Sequence, residues 1–294
     1  MRQLLFITFN LILINLSFSK IDPWRLAMDA NLTANQGAYS KSWEQGTGGG
    51  FAWAFNLNSS AEKQLSGKFL TKNVLKMAFG QTQNQNPQTK NWSIPVKSTD
   101  LFDLESTLKF TLGKIIDPFA GVHLISQFMD MSEPGWDKIF NPVDLTESLG
   151  GGTVFTKKEK RELATRLGLG LRQHVFRDYL DPETSVRENY KISNDGGLEL
   201  VAQFKGPVWG ERLSLDSKLN IFKALLFSEA DNLKGKTSEN YWKSPDISLE
   251  SVFTANISKY IMVNLYLQFL YDKEIELKGR LKETLALGIT YKFI

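Results

Sequence analysis

From Arg280 to Ile294, apolar and polar side chains alternate almost residue by residue. Leu281, Leu285, Leu287, Ile289, Tyr291 and Phe293 share one parity, and Lys282, Thr284, Ala286, Gly288, Thr290 and Lys292 share the other. Successive side chains of a strand point to opposite faces, so the segment reads as a strand with one greasy face and one polar or small face. The same period recurs upstream, giving about twelve such segments. They fall at Trp24 to Thr33, Phe51 to Asn58, near Leu75 to Phe79, Phe102 to Leu112, Ala120 to Phe128 and around the glycine-rich Leu149 to Phe155. The others fall at Arg166 to Arg172, Leu198 to Phe204, Leu213 to Ile221, Ile247 to Ala255, Ile261 to Tyr271 and the terminal stretch. Tilted segments of roughly ten residues with dyad alternation and aromatic ends are the signature of a membrane-spanning barrel.

Composition fits that reading. Hydrophobic residues make up 42% and charged residues 23% of the 294, and after the first twenty residues no window approaches the ~20 apolar residues of a spanning helix. A barrel needs only alternate residues to face lipid. Cysteine is absent, which excludes disulfides, thiolate metal sites and cysteine nucleophiles. The formal charge of +3 offers no electrostatic footprint for nucleic acid.

The connections alternate in length. Short ones fall near Lys63 to Lys68, Gly113 to Pro118, Lys157 to Lys160, Lys205 to Gly210 and Ile257 to Tyr260. Long ones fall at Gln36 to Gly46, Gln83 to Thr99, Asp130 to Asp144, Asp178 to Asn194 and Lys223 to Pro245, with a shorter one near Asp272 to Gly279. Short periplasmic turns and longer outer loops are what an outer-membrane barrel requires, and an even strand number then places both termini in the periplasm. A soluble sandwich is the alternative on pattern alone, but it has no reason to segregate its loops.

Met1 to Ser19 carries Arg2, an apolar run from Leu4 to Leu16, and Ser17-Phe18-Ser19 at its end. This is the layout of a cleaved export signal, with the barrel beginning at Lys20; the alternative is an uncleaved anchor. The expected organisation is a signal peptide over 1–19 and an all-β, closed antiparallel transmembrane barrel over 20–294.

Several phrases occur in order: Trp43-Glu44-Gln45-Gly46, Lys72-Asn73-Val74-Leu75-Lys76 leading to Phe79-Gly80-Gln81, Lys97-Ser98-Thr99-Asp100, Phe140-Asn141-Pro142, and Leu145-Thr146-Glu147-Ser148-Leu149-Gly150. They resemble a family of outer-membrane barrels classed only as a domain of unknown function, number thirty seventy-eight. The likeness is best from Trp24 to His174. It departs from the family where a doubled glycine would follow the loop tryptophan more closely; here Gly48 to Gly50 come later. The resemblance implies fold and a place in the Gram-negative outer membrane, and it implies no activity. In barrels of this type the terminal aromatics, here Tyr291 and Phe293, resemble the signal read by the insertion machinery, which with outer-membrane lipid is then an expected partner.

Chemistry has few places to reside. The two histidines, His123 and His174, both fall on the inward parity, and Ser126 lies on the opposite face from His123, so no local Ser-His relay forms. The inward parities gather Asp29, Asp103, Glu105, Glu199, Asp216 and Glu250 with Arg25, Lys76, Lys109, Arg166, Arg172, Lys218 and Lys282. Asp103 and Glu105 have the residue types of a hydrolase pair; mixed signs around the wall instead favour a web of lumen ion pairs. Gly46 and Gly48 to Gly50 lack the following Lys-Ser or Lys-Thr and the helix of a phosphate cradle, and read as a loop entering a strand. Trp43, Trp92, Trp136 and Trp242 fall in the long loops, where they either contact a partner or pack the loops down.

Three functional classes follow: a narrow porin-like pore or small-solute transport barrel, a non-conducting barrel acting through its outer loops, and a lipid-active enzyme, which the histidine geometry disfavours. No cofactor is expected. Because a closed sheet resists detergent until heated, the mature chain should sediment with the outer membrane and migrate differently on a gel before and after boiling. Recovery as a soluble periplasmic protein would refute the barrel.

Overall fold

The computed structural model describes residues 23–39, 48–113, 115–132, 138–158, 161–181, 186–210, 212–258 and 260–293. The expected export segment, Trp43, Gly46 and Trp136 lie outside the described residues. Among the described residues fourteen strands are formed: β1 (Arg25–Gly37), β2 (Gly50–Gln64), β3 (Phe69–Asn84), β4 (Val96–Phe110), β5 (Asp117–Ser126), the two-residue β6 (Met129–Asp130) and β7 (Lys138–Ile139), β8 (Val143–Lys158), β9 (Arg161–Asp181), β10 (Val186–Trp209), β11 (Leu213–Phe227), β12 (Pro245–Asn256), β13 (Ile261–Tyr271) and β14 (Arg280–Lys292). All but β6 and β7 join one closed antiparallel barrel of twelve strands in sequence order. Closure is made by β14 against β1, from Asp29 opposite Lys292 to Ala34 opposite Leu287, and the Phe293 amide donates to the Met28 carbonyl at 2.9 Å.

The register sets the two faces. Leu57, Met77 and Phe102 lie in one cross-strand row, and Leu249, Phe269 and Leu281 in another, all on the apolar parity. That parity faces outward: Leu169 and Leu281 are 66% and 72% exposed. Among the described residues the buried hydrophobics are six, against eleven buried polar or charged residues that include Asp103, His123, Asp195 and Glu199. A soluble domain would show the reverse, so the outer solvent of this sheet is apolar. Among the described residues no helix is long and apolar enough to cross a membrane. β1 begins and β14 ends at the same end of the barrel, the end of the short turns.

Three expectations are corrected. The connection expected at Asp178 to Asn194 is mostly strand, since β9 and β10 run on to Asp181 and from Val186 and leave four residues between them. Charged residues around Arg177 erase the alternation in the sequence, while β-forming Phe176, Tyr190 and Ile192 keep the strand. β8 starts at Val143 and not near Leu149, because Glu147 interrupts its outward parity between Val122 and Leu171. The strand expected to give way to loop at Lys223 continues to Phe227.

One glycine in β8 has a steric role. A Cβ on Gly150 would lie 2.1 Å from the Leu167 carbonyl oxygen and 2.5 Å from the Gly168 Cα, so the wall curves tightly here only without side chains.

Leu265 faces outward between Phe253 and Leu285, while the adjacent Asn264 faces inward between Thr254 and Ala286. An arginine on the lipid face costs about 2 to 4 kcal/mol at the bilayer midplane. Leu265→Arg should therefore lower the denaturant midpoint of the folded barrel in lipid far more than Asn264→Arg. Equal loss at both sites would mean that the faces are misassigned.

Candidate functional site: a lumen crossed by ion pairs

The strand period sends every second side chain into the lumen, and twelve strands enclose more space than the eight whose interior side chains just fill. Long charged residues reach across what remains. Lys218 on β11 donates to Glu105 on β4 at 2.6 Å, although the two strands lie five apart by the shorter way round the ring. Arg166 on β9 also pairs with Glu105, gives Nη1 to the Thr107 hydroxyl at 3.2 Å, and lies over the Phe119 ring at 5.5 Å. Lys76 on β3 stands 3.8 Å from Glu250 on β12, again five strands away, and the Tyr266 hydroxyl donates to Glu250 at 2.9 Å. Beside them His123 and Asp103 form a buried pair at 2.9 Å.

Toward the long-loop end, Arg172 binds Asp195 through Nε and Nη2 at 2.9 and 2.7 Å and Asp246 through Nη1 at 2.7 Å, stacked at 4.5 Å on Phe222. Gly170 admits that ring, since a Cβ there would meet it at 3.1 Å. His174 and Asp144 share a 2.5 Å hydrogen bond, and Lys282 donates to the Ser98 carbonyl at 3.3 Å. Toward the short-turn end lie Arg25 with Glu62 at 3.1 Å, Lys109 with Asp117 at 3.4 Å and Lys205 with Asp216 at 3.6 Å. Asp29 accepts from Asn31 and Asn58, both at 3.1 Å.

All twelve residues expected in the lumen network thus face inward with polar partners, but they form separate tiers and not one site. Asp103 and Glu105 do not act as a carboxylate pair: one is held by His123 and the other by two cations. The Ser126 hydroxyl faces away and donates to the Pro142 carbonyl at 2.7 Å. Tyr291 and Phe293 contact each other edge to face at 4.8 Å on the exterior. Buried Arg166 Nε, Asp195 Oδ1, Asn220 Oδ1 and Asn264 Oδ1 have no protein partner, so the lumen demands water to satisfy them. Among the described residues, no group of three or more His, Cys, Asp or Glu side chains is arranged to hold a metal ion.

Sequence reasoning missed Tyr266, Asp195 and Asp246. Each sits on an inward parity, which was the available signal, but no spacing links them to their partners. It also missed what the Lys97-to-Asp100 and Phe140-to-Pro142 phrases build together. Asp100 accepts from Lys97 Nζ and from the Phe128 and Met129 amides at 3.0, 2.6 and 3.0 Å. Asn141, almost fully buried, donates to Asp130 at 2.6 Å and to the Arg177 carbonyl at 3.1 Å, and accepts from the Arg177 amide at 2.6 Å. The two phrases form a clasp that holds the loop between β5 and β8 against β4 and β9. The glycine-rich segment behaves as a loop entering a strand: the Gln85 amide donates to the Gly49 carbonyl at 2.8 Å, and Gly50 opens β2. Trp242 packs down, its ring 5.9 Å from that of Phe227.

Fold and lumen together define a twelve-strand, up-and-down β-barrel with an apolar exterior and a charged interior. Residues 34–131, one third of the chain, match the family model described as "Protein of unknown function (DUF3078)", in agreement with the resemblance of the Lys72-to-Gln81 and Lys97-to-Asp100 phrases. No curated protein matches significantly. Similar solved structures include an outer membrane channel from Pseudomonas putida F1, at 12% identity and a TM-score of 0.38, over 90% of this chain and 94% of that one. The translocator domain of the autotransporter NalP from Neisseria meningitidis gives 10% and 0.36 over 95% and 90%. The β domain of the Bordetella autotransporter BrkA gives 9% and 0.33 over 91% and 98%.

The long-loop mouth carries a pH-dependent group. Burial, then repulsion from Asp195, Asp272 and Asp246, pushes Glu274 up to about 7, against the pull of Arg172. A carboxyl raised in the folded state favours the docked loop while it stays protonated, and that support is lost as pH rises through about 7. Hydrogen-exchange protection of the Ile275 and Glu276 amides, which both donate to the Asp272 carbonyl, should fall between about pH 5 and 8 once intrinsic rates are corrected. Glu274→Gln should flatten the profile; a profile that persists would assign the titration to another group, His174 first.

Proposed function

We propose that the chain is an outer-membrane barrel that passes small solutes through a constricted, hydrated lumen, with the short turns and both termini on the periplasmic side. The observation that carries the reading is the tier at Glu105, where Lys218 and Arg166 reach one carboxylate from strands five and three places round the wall. Porins of 16 to 18 strands leave an open channel whereas eight strands are filled; twelve strands with bridging charges lie between, and leave a constricted, hydrated path. Opposed charges reaching across this level also screen solutes by charge and size.

The reading is non-enzymatic. Both histidines point into the lumen onto aspartates, away from lipid, and the one serine close to His123 in the sequence turns its hydroxyl to a backbone carbonyl. The loop-acting alternative draws less support, because Trp242 is packed on Phe227 and the Asp100 and Asn141 clasp already engages the third loop.

Planar-bilayer recording of the purified protein should show small, steady conductance. Glu105→Gln combined with Lys218→Met removes the cross-lumen pair with little change in volume, and should raise conductance about twofold or more while heat-modifiable mobility is kept. Silence from both proteins would overturn the pore reading in favour of a non-conducting barrel.

A further inference from the structure

The inward parity is polar almost everywhere, yet in the short-turn half it is not. Leu70, Val74, Phe119, Val154 and Val201 all line one cavity of about 150 Å³ beneath the Glu105 tier. Val74 comes from the Lys72-to-Lys76 phrase, whose alternation places Lys72, Val74 and Lys76 on the lumen side opposite Glu62, Ser60 and Asn58. An apolar surface inside a hydrated lumen gains nothing from the membrane, and its burial is complete only when an apolar body occupies it. A cavity of this size has room for a body the size of benzene.

Its charges specify the other end of such a body. The lining acids are Glu62, Glu105 and Glu162, and the lining bases are Lys72, Lys109, Arg166 and Lys218, an excess of one positive charge. Glu62 and Lys109 are already engaged by Arg25 and Asp117 outside the cavity, which cancel each other. Lys72 at the mouth is the loosely held cation: its side chain is 39% exposed and its carboxylate partner Glu162 stands 3.8 Å away, beyond hydrogen-bond length.

We propose that this cavity binds a small monocarboxylate with an apolar body, a single ring or short branched chain, with the body between Val74, Phe119 and Val201 and the carboxylate on Lys72. The assignment rests on the small-solute reading above and narrows the solute's class. Glu162, 38% exposed, is then the group whose ion pair with Lys72 the ligand replaces; its carboxylate is left to water, and the ligand's charge brings the net charge of the cavity lining from one positive to zero.

Isothermal titration calorimetry of the full-length barrel in detergent, with benzoate, benzylamine and acetate as probes, tests it. Benzoate should bind about tenfold or more tighter than either other probe, the scale of one charge-assisted hydrogen bond or of the buried ring. Lys72→Gln should weaken benzoate about tenfold, and Val74→Trp, which fills the cavity, should abolish its binding while both variants keep heat-modifiable mobility. Equal affinity for benzoate and benzylamine, benzoate binding unmoved by both substitutions, or no benzoate binding by the folded protein would each overturn the assignment. Conductance is read separately, so a barrel that conducts without binding benzoate removes this inference alone, and one that binds it without conducting removes the pore alone.

Discussion

A backbone amide facing hydrocarbon has no water to bond, and a sheet can cross a bilayer only if every strand has two neighbours. That requirement is met here by a single seam, the pairing of Asp29 to Ala34 with Lys292 to Leu287. The other strand pairs join sequence neighbours in the barrel, most through turns of a few residues, and could form locally; the seam joins the two ends of the folded chain and closes the longest loop of all. Side-chain alternation follows from closure, since a closed wall has an inside and an outside and the pleat gives each strand one row for each.

Closure also creates the electrostatic problem that the lumen solves. Charged groups confined in a narrow interior lose much of their hydration, and an unpaired one is costly. Glu105 accepts from two bases, Arg172 binds two aspartates, and Glu250 is held by a lysine and a tyrosine. These pairs do little for net stability in themselves. They let a polar interior exist at low penalty and, because they reach across the ring, they also narrow the free lumen.

The wall was legible in the sequence and the lumen only half so. Twelve segments, their parity, the closing seam and the inward set from Arg25 to Lys282 follow from a period of two, a local property. Partnership is not local: Lys218 and Glu105 lie 113 residues apart and meet because shear and strand number bring them to one level. Nothing in the spacing of either residue encodes that. Where the local signal failed, it failed for physical reasons. Glu147 occupies an outward position in β8 and breaks the apolar row, and charged residues around Arg177 interrupt the alternation in the hairpin of β9 and β10.

The two recognised phrases that form the loop clasp show how an unassigned motif acquires a role from its neighbours. Asp100 ties β4 to the chain leaving β5, and Asn141 ties the chain re-entering β8 to β9. Together they fix both ends of the loop between β5 and β8, using a carboxylate and an amide that each make three hydrogen bonds. The hydrogen bonds of the clasp use none of the charged residues of the lumen tiers, although Ser98, between Lys97 and Asp100, accepts from Lys282 through its carbonyl. The loop's position is therefore set by the wall and not by whatever occupies the lumen, and changes in the Glu105 tier need not move the mouth. A barrel built this way separates the shape of its opening, held by backbone-directed hydrogen bonds, from the electrostatics of its interior, held by side-chain charge.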